Sequence, residues 1–140
     1  METIVVERTL SSPTAAVWAI TKDFGNVGWI PGASETAKLE GSGVGMTRVM
    51  QNPEGGVVRE TLLAVDEEAR SATYTITEGI PFPASSYRAT MTVSDDDGKG
   101  RINWSCEFEP EGASAAEVGK TIEGMYHMML DWIDEYLKAS

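Results

Sequence analysis

The last quarter of the chain leaves the fewest choices. Between positions 113 and 138, Val118, Ile122, Met125, Met129, Trp132, Ile133 and Tyr136 recur at three- and four-residue steps. That spacing describes a helix with a single apolar stripe. At about 26 residues it is roughly 39 Å long, enough to cross a whole sheet. The fold therefore depends on whether the preceding residues supply a sheet for it to cover.

They do. Tyr74, Ile76 and Glu78 share a face, with Thr73, Thr75 and Thr77 opposite; Tyr87, Ala89, Met91 and Val93 alternate with Arg88, Thr90, Thr92 and Ser94. Ile102, Trp104, Cys106 and Phe108 alternate with Asn103, Ser105 and Glu107. One mainly apolar and one polar face per strand is the pattern of an antiparallel sheet wet on one side. Further strands are expected over 3–10, 34–40, 46–52 and 57–66, with turns at "PEGG" (53–56), "DEEAR", "GIPFPAS" and the acidic hairpin "DDDGKG". In "SSPTAAVWAITKDF", Ser12 is placed to cap a helix and Pro13 to begin it, and "GNVGWIPG" leaves room for a second short helix. The expectation is a single α+β domain over 1–140: a curved antiparallel sheet of about six or seven strands wrapped around a long C-terminal helix, with two short helices after strand one.

Charge and composition exclude several function classes. Eleven Lys and Arg stand against 22 Asp and Glu, a formal charge of −11. Such a surface repels polyanions and anionic lipid headgroups, so no nucleic-acid partner and no membrane insertion are expected. A single cysteine and a single histidine rule out an internal disulfide and a zinc cluster, and no metal or cofactor is expected. The N-terminus alternates instead of presenting a basic leader, which points to a cytoplasmic location. Gly41, Gly43 and Gly45 in "EGSGVGMTR" lead into an alternating, strand-like stretch and not into a helix. They read as a turn between strands, where glycine reaches positive φ, and not as a phosphate loop.

The order of elements, with "SSPTAAVWAITKDFGNVGWIPG", "EGSGVGMTR", "VRETLLAVDEEARSATYTI", "IPFPASSYRATMTV" and "NWSCEFEP" in their places, resembles the helix-grip superfamily, also called START-like or SRPBCC. Within it the chain is most similar to the bacterial polyketide cyclase/dehydrase and lipid-transport family. The resemblance implies a cavity between helix and sheet. Trp29, Pro31, Phe82, Pro83, Met91, Trp104, Met125, Met128, Met129 and Trp132 suit an apolar, adaptable lining, although large apolar residues facing a helix also suit an ordinary core. Plant hormone receptors of the superfamily carry a gate and a latch where this chain has "NPEGG" and "GIPFPASS". Those do not match, and a hormone-receptor function is not expected.

Two polar residues are candidates for catalysis or ligand binding. Glu60 shares a strand face with Val58, Leu62 and Ala64, and Arg59, Thr61, Leu63 and Val65 form the other; alternation does not say which is inside. In the hormone-receptor branch the matching acid lies in the cavity. Here it would be a desolvated acid or base, and Glu60→Gln would change ligand binding and spare stability. The alternative is a solvated glutamate paired with Arg48 or Arg59. Tyr87 matches a tyrosine that many relatives turn into the cavity, and its hydroxyl could donate to a ligand. Glu78 is expected at the rim, Cys106 in the core, and His127 on the exposed face of the helix with Asp131, away from any chemistry. Three functions remain open: binding of a small hydrophobic or aromatic molecule, polyketide-, isoprenoid- or lipid-like; a cyclase- or dehydratase-type enzyme using the same cavity; and a protein-interaction role. A monomer or weak homodimer suits each.

Overall fold

The computed structural model describes residues 1–52 and 55–140, so the turn expected at 53–56 lies partly outside the described residues. In chain order the elements are β1 (Glu2–Pro13), α1 (Thr14–Lys22), α2 (Ala33–Thr36), β2 (Lys38–Glu40), β3 (Thr47–Gln51), β4 (Val57–Asp66), β5 (Ser71–Glu78), β6 (Ala84–Asp96), β7 (Lys99–Pro110) and α3 (Ala115–Lys138). The seven strands form one antiparallel sheet in the order β1-β7-β6-β5-β4-β3-β2. Its curved inner face grips α3, the helix-grip α+β arrangement expected from the sequence.

Alternation decides the inner face. Ala72, Tyr74 and Ile76 of β5, Tyr87, Ala89, Met91 and Val93 of β6, and Ile102, Trp104, Cys106 and Phe108 of β7 are all buried. The acidic hairpin turns through Asp97 (φ 54°) and Gly98 (φ 91°), flanked by the Asp96–Lys99 pair. Positive φ at both central residues matches the twist of the strands they join. Gly41, Gly43 and Gly45 all take positive φ between β2 and β3. The Gly45 N–H bonds the Leu62 carbonyl at 2.8 Å, so the glycine run serves the sheet.

Ser114 caps α3 by accepting the Glu117 N–H at 3.2 Å. Buried along the helix are Val118, Ile122, Tyr126, Leu130 and Ile133. The expected stripe is thus offset by one row: Met125, Met129, Trp132 and Tyr136 are only partly buried and form its flank. The helix sits close over β1, because a Cβ on Gly119 would stand 3.0 Å from Ile4 Cδ1.

Five local expectations are corrected. Ser12 does not cap α1, because β1 continues to Pro13, which pairs with Lys99; the first helical N–H, on Thr14, is taken by the Gly98 carbonyl at 3.3 Å. The strand expected over 34–40 is shortened to Lys38–Glu40. Gly32 turns the chain at φ 77° into the single helical turn of α2, which is therefore the second short helix and begins after Gly32. In β4 a register shift leaves Leu63 without a β5 partner. Past it, Ala64 is exposed and Val65 packs inward. A second shift, opposite Arg59 and Glu60, turns Glu78 out of phase with Ile76, and Glu78 lies exposed at 3.4 Å from Arg59.

Candidate functional site

Between α3 and the part of the sheet formed by β3–β7 is a cavity of about 510 Å³. A sheet that curves over a helix touches it closely at one end, here β1, and diverges from it at the other, which leaves the space. Every residue proposed from the sequence for ligand contact stands on its wall, with Pro83 the exception. Trp29 and Pro31 come from the segment before α2 and Phe82 from the β5–β6 loop. Glu60, Tyr87, Met91 and Trp104 come from the sheet; Met125, Met128, Met129 and Trp132 come from the flank of α3. Pro83 is exposed and outside the lining, and Pro81 takes its place. Exposed lining residues, Asp23, Pro31, Gly32, Thr36, Gln51, Pro81 and Met128, mark the mouth.

One side of the wall holds a buried ion pair. Glu60 stands opposite Arg48 in the β3–β4 register, and Arg48 Nε–H donates to Glu60 Oε1 at 2.6 Å. Arg48 is 8% and Glu60 7% exposed. The guanidinium also donates through Nη1 to the Phe24 carbonyl at 3.2 Å and lies 4.0 Å over the Phe24 ring, a favourable cation–π placement. Glu60 therefore faces inward, as the resemblance implies, but it is not a solitary desolvated acid. The partner is Arg48; Arg59 instead meets Glu40 at 3.0 Å outside.

Deeper in the cavity three phenols form a chain. Tyr74 and Tyr87 hydroxyls are 3.1 Å apart, and Tyr87 is also hydrogen-bonded to Tyr126. Phe82 packs edge-on against Tyr87 at 5.3 Å, and Trp104 stacks on Tyr126 at 4.1 Å. Burial pushes all three phenols well above the ordinary tyrosine range, with the Glu60 charge adding to the effect at Tyr74. They are neutral hydrogen-bond donors at physiological pH. The Trp104 indole N–H makes no hydrogen bond among the described residues, although the Tyr74 phenol lies beside it. Tyr74, Tyr126 and Phe24 were not among the sequence candidates. For Tyr126 the signal existed: Val118, Ile122, Tyr126, Leu130 and Ile133 form an apolar row at steps of four and three.

His127 lies on the exposed outer face, where Arg8 Nη2 is 3.0 Å from its Nδ1 and Arg8 also meets Asp131 at 2.5 Å. Cys106 is buried, and burial raises its thiol above the ordinary range. Among the described residues, no group of three or more His, Cys, Asp or Glu is placed to hold a metal, and no helix is long and apolar enough to cross a membrane.

Comparison with solved structures finds the same fold over nearly the whole chain. A protein of Bacillus thuringiensis is 24% identical, with 97% of this chain and 98% of the other covered at a TM-score of 0.83. A protein of Thermobifida fusca is 28% identical, with 98% and 93% covered and a TM-score of 0.81. Norcoclaurine synthase of Thalictrum flavum is 21% identical, with 99% and 87% covered and a TM-score of 0.74; that likeness is one of fold. Among curated proteins, none matches the chain by sequence. The model of one family, described as polyketide cyclase/dehydrase and lipid transport, matches residues 1–138. With the helix-grip fold and its apolar cavity already in place, that match makes the chain a member of the polyketide cyclase/dehydrase and lipid transport family.

Proposed function

We propose that the protein binds a small hydrophobic or aromatic molecule, polyketide-, isoprenoid- or lipid-like, in the cavity between sheet and α3. The observation that carries this is the cavity itself, about 510 Å³ and walled mainly by aromatic, aliphatic and methionine side chains. Space on that scale in the middle of a 140-residue domain forfeits close packing that cores otherwise achieve, and it falls in the range of small-molecule sites. Methionines on the α3 flank adapt to ligands of different outline. The test is native mass spectrometry of freshly purified protein, followed by titration with fatty acids, isoprenoids and polycyclic aromatics. A co-purified small molecule or a saturable complex supports the reading. Protein that arrives empty and binds none of the three classes contradicts it.

A catalytic use of the same cavity is the second reading, favoured by one observation: Tyr87 is a buried, neutral donor held between two other phenols. Such a group can polarise a bound carbonyl. Glu60 is less suited to serve as a base, since Arg48 occupies it at 2.6 Å. Turnover of a bound ligand that is lost in Tyr87→Phe with binding retained would favour this reading; a ligand recovered unchanged from wild-type protein counts against it.

A further inference from the structure

We infer that Tyr74, Tyr87, Tyr126 and Trp104 make the cavity selective for ligands bearing a neutral acceptor oxygen, a ketone or quinone carbonyl, over hydrocarbons of the same outline. The inference rests on the ligand-binding reading and specifies the polar group such a ligand carries.

The reasoning is a count of protons. Three phenols bring three O–H groups, and the two contacts that join them use one proton each. Whichever way the chain is directed, one O–H remains to donate elsewhere. The Cys106 thiol lies beside Tyr126, but sulfur is a weak acceptor. Even if it takes the spare phenol proton, the Trp104 N–H, on a side chain only 2% exposed, meets no acceptor at hydrogen-bond geometry among the described residues, the Tyr74 phenol beside it included. All three phenols stay protonated because burial opposes their ionisation. The wall thus holds donor protons that its own contacts leave unused, and a buried donor left unmade is costly. A ligand oxygen relieves that cost, and a hydrocarbon does not.

Charge selects a neutral oxygen over an anion. The charged side chains lining the cavity, among the described residues, are Asp23, Arg48 and Glu60. They carry one net negative charge, and the sole cation among them is engaged by Glu60 and the Phe24 carbonyl. A carboxylate ligand finds no free cation there.

Fluorene and 9-fluorenone share a tricyclic skeleton and differ by one carbonyl, which makes them suitable probes. With wild-type protein, the infrared C=O stretch of bound 9-fluorenone should move to lower wavenumber than in alkane solvent. In Tyr74→Phe/Tyr87→Phe/Tyr126→Phe, 9-fluorenone affinity should fall about tenfold, the worth of one hydrogen bond, while fluorene affinity stays within about twofold. An unshifted carbonyl in the bound state, or equal losses for both probes, overturns the inference and leaves ligand binding intact. If neither probe binds wild-type protein, the inference fails, while the binding reading stands or falls on the titration with all three ligand classes. The infrared readout needs no variant, so a fold lost in the triple substitution does not rescue the claim.

Discussion

Replacing Glu60 by glutamine removes one charge from a pair that is almost wholly buried. Arg48 would then remain in the wall without its counterion, and breaking a buried pair from one side costs about 3–5 kcal/mol. Two features pull the figure to the lower end: the glutamine oxygen still accepts from Nε–H, and Arg48 keeps the Phe24 carbonyl and ring. A loss of about 3 kcal/mol follows. For a domain of this size, that corresponds to a fall in Tm of roughly 10 °C. Arg48→Met/Glu60→Leu removes both charges at similar volume and should lie within about 1 kcal/mol of wild type. Urea and thermal unfolding followed by tryptophan fluorescence measure the free energy and the Tm of both variants. A Glu60→Gln Tm within about 3 °C of wild type, or a double variant less stable than the single one, would refute the reasoning. If Glu60 is read from the sequence as a lone cavity acid, Glu60→Gln should spare stability; the cross-strand pairing with Arg48, the alternative the sequence left open, reverses that expectation.

Gly100→Ala should destabilise by about 1–3 kcal/mol through overpacking, because its Cβ would stand 2.5 Å from the fully buried Val17 side chain. Val17→Ala in the same chain should recover little of that loss, because alanine keeps the Cβ that stands at 2.5 Å, as thermal melts will show. Asp134 has a lowered pKa: burial acts to raise it, but is outweighed by hydrogen bonds from the Ser11 backbone N–H and hydroxyl and by nearby Lys138 and Arg8. With the folded value below the unfolded one, its contribution is complete above about pH 4 and is lost as pH falls through the folded value. Ser11→Ala should therefore lower stability at neutral pH, with the difference from wild type shrinking in acid; a gap that widens in acid would contradict this. His127→Ala should leave ligand affinity unchanged in any binding assay, since the ring lies on the outer face; a tenfold loss would place it in the site.

The fold was legible because two periodicities agree. Alternation marked the inward residues of β5–β7, and the three-to-four spacing marked a helix able to cover them. What alternation could not supply was the effect of register shifts. One extra residue at Leu63 exchanges the roles of Ala64 and Val65, and nothing in "TLLAVD" announces it. The Glu60 face was undecidable for the same reason: each face of "VRETLLAVD" carries both apolar residues and a charge, and only pairing with Arg48 makes burial tolerable. The phenol chain was harder still, since Tyr74, Tyr87 and Tyr126 come from three elements and meet only when the sheet closes on α3. Tyr126 alone was recoverable, from a helical row that competes with the Met125–Met129–Trp132 flank. Both rows are real: one packs on the sheet and the other lines the cavity.

The central claim is that the space between sheet and α3 receives a ligand, and the methionines report on it directly. Of the seven methionines, Met50, Met91, Met125, Met128 and Met129 line the cavity, whereas Met1 and Met46 do not. In a protein labelled with 13C at the methionine methyls, titration with a polycyclic aromatic or a lipid that forms a saturable complex should shift the cavity resonances along one binding curve. Met1 and Met46 should stay within the linewidth. Saturable binding that moves Met1 and leaves Met91, Met125 and Met129 unmoved would place the ligand outside the cavity and contradict the account.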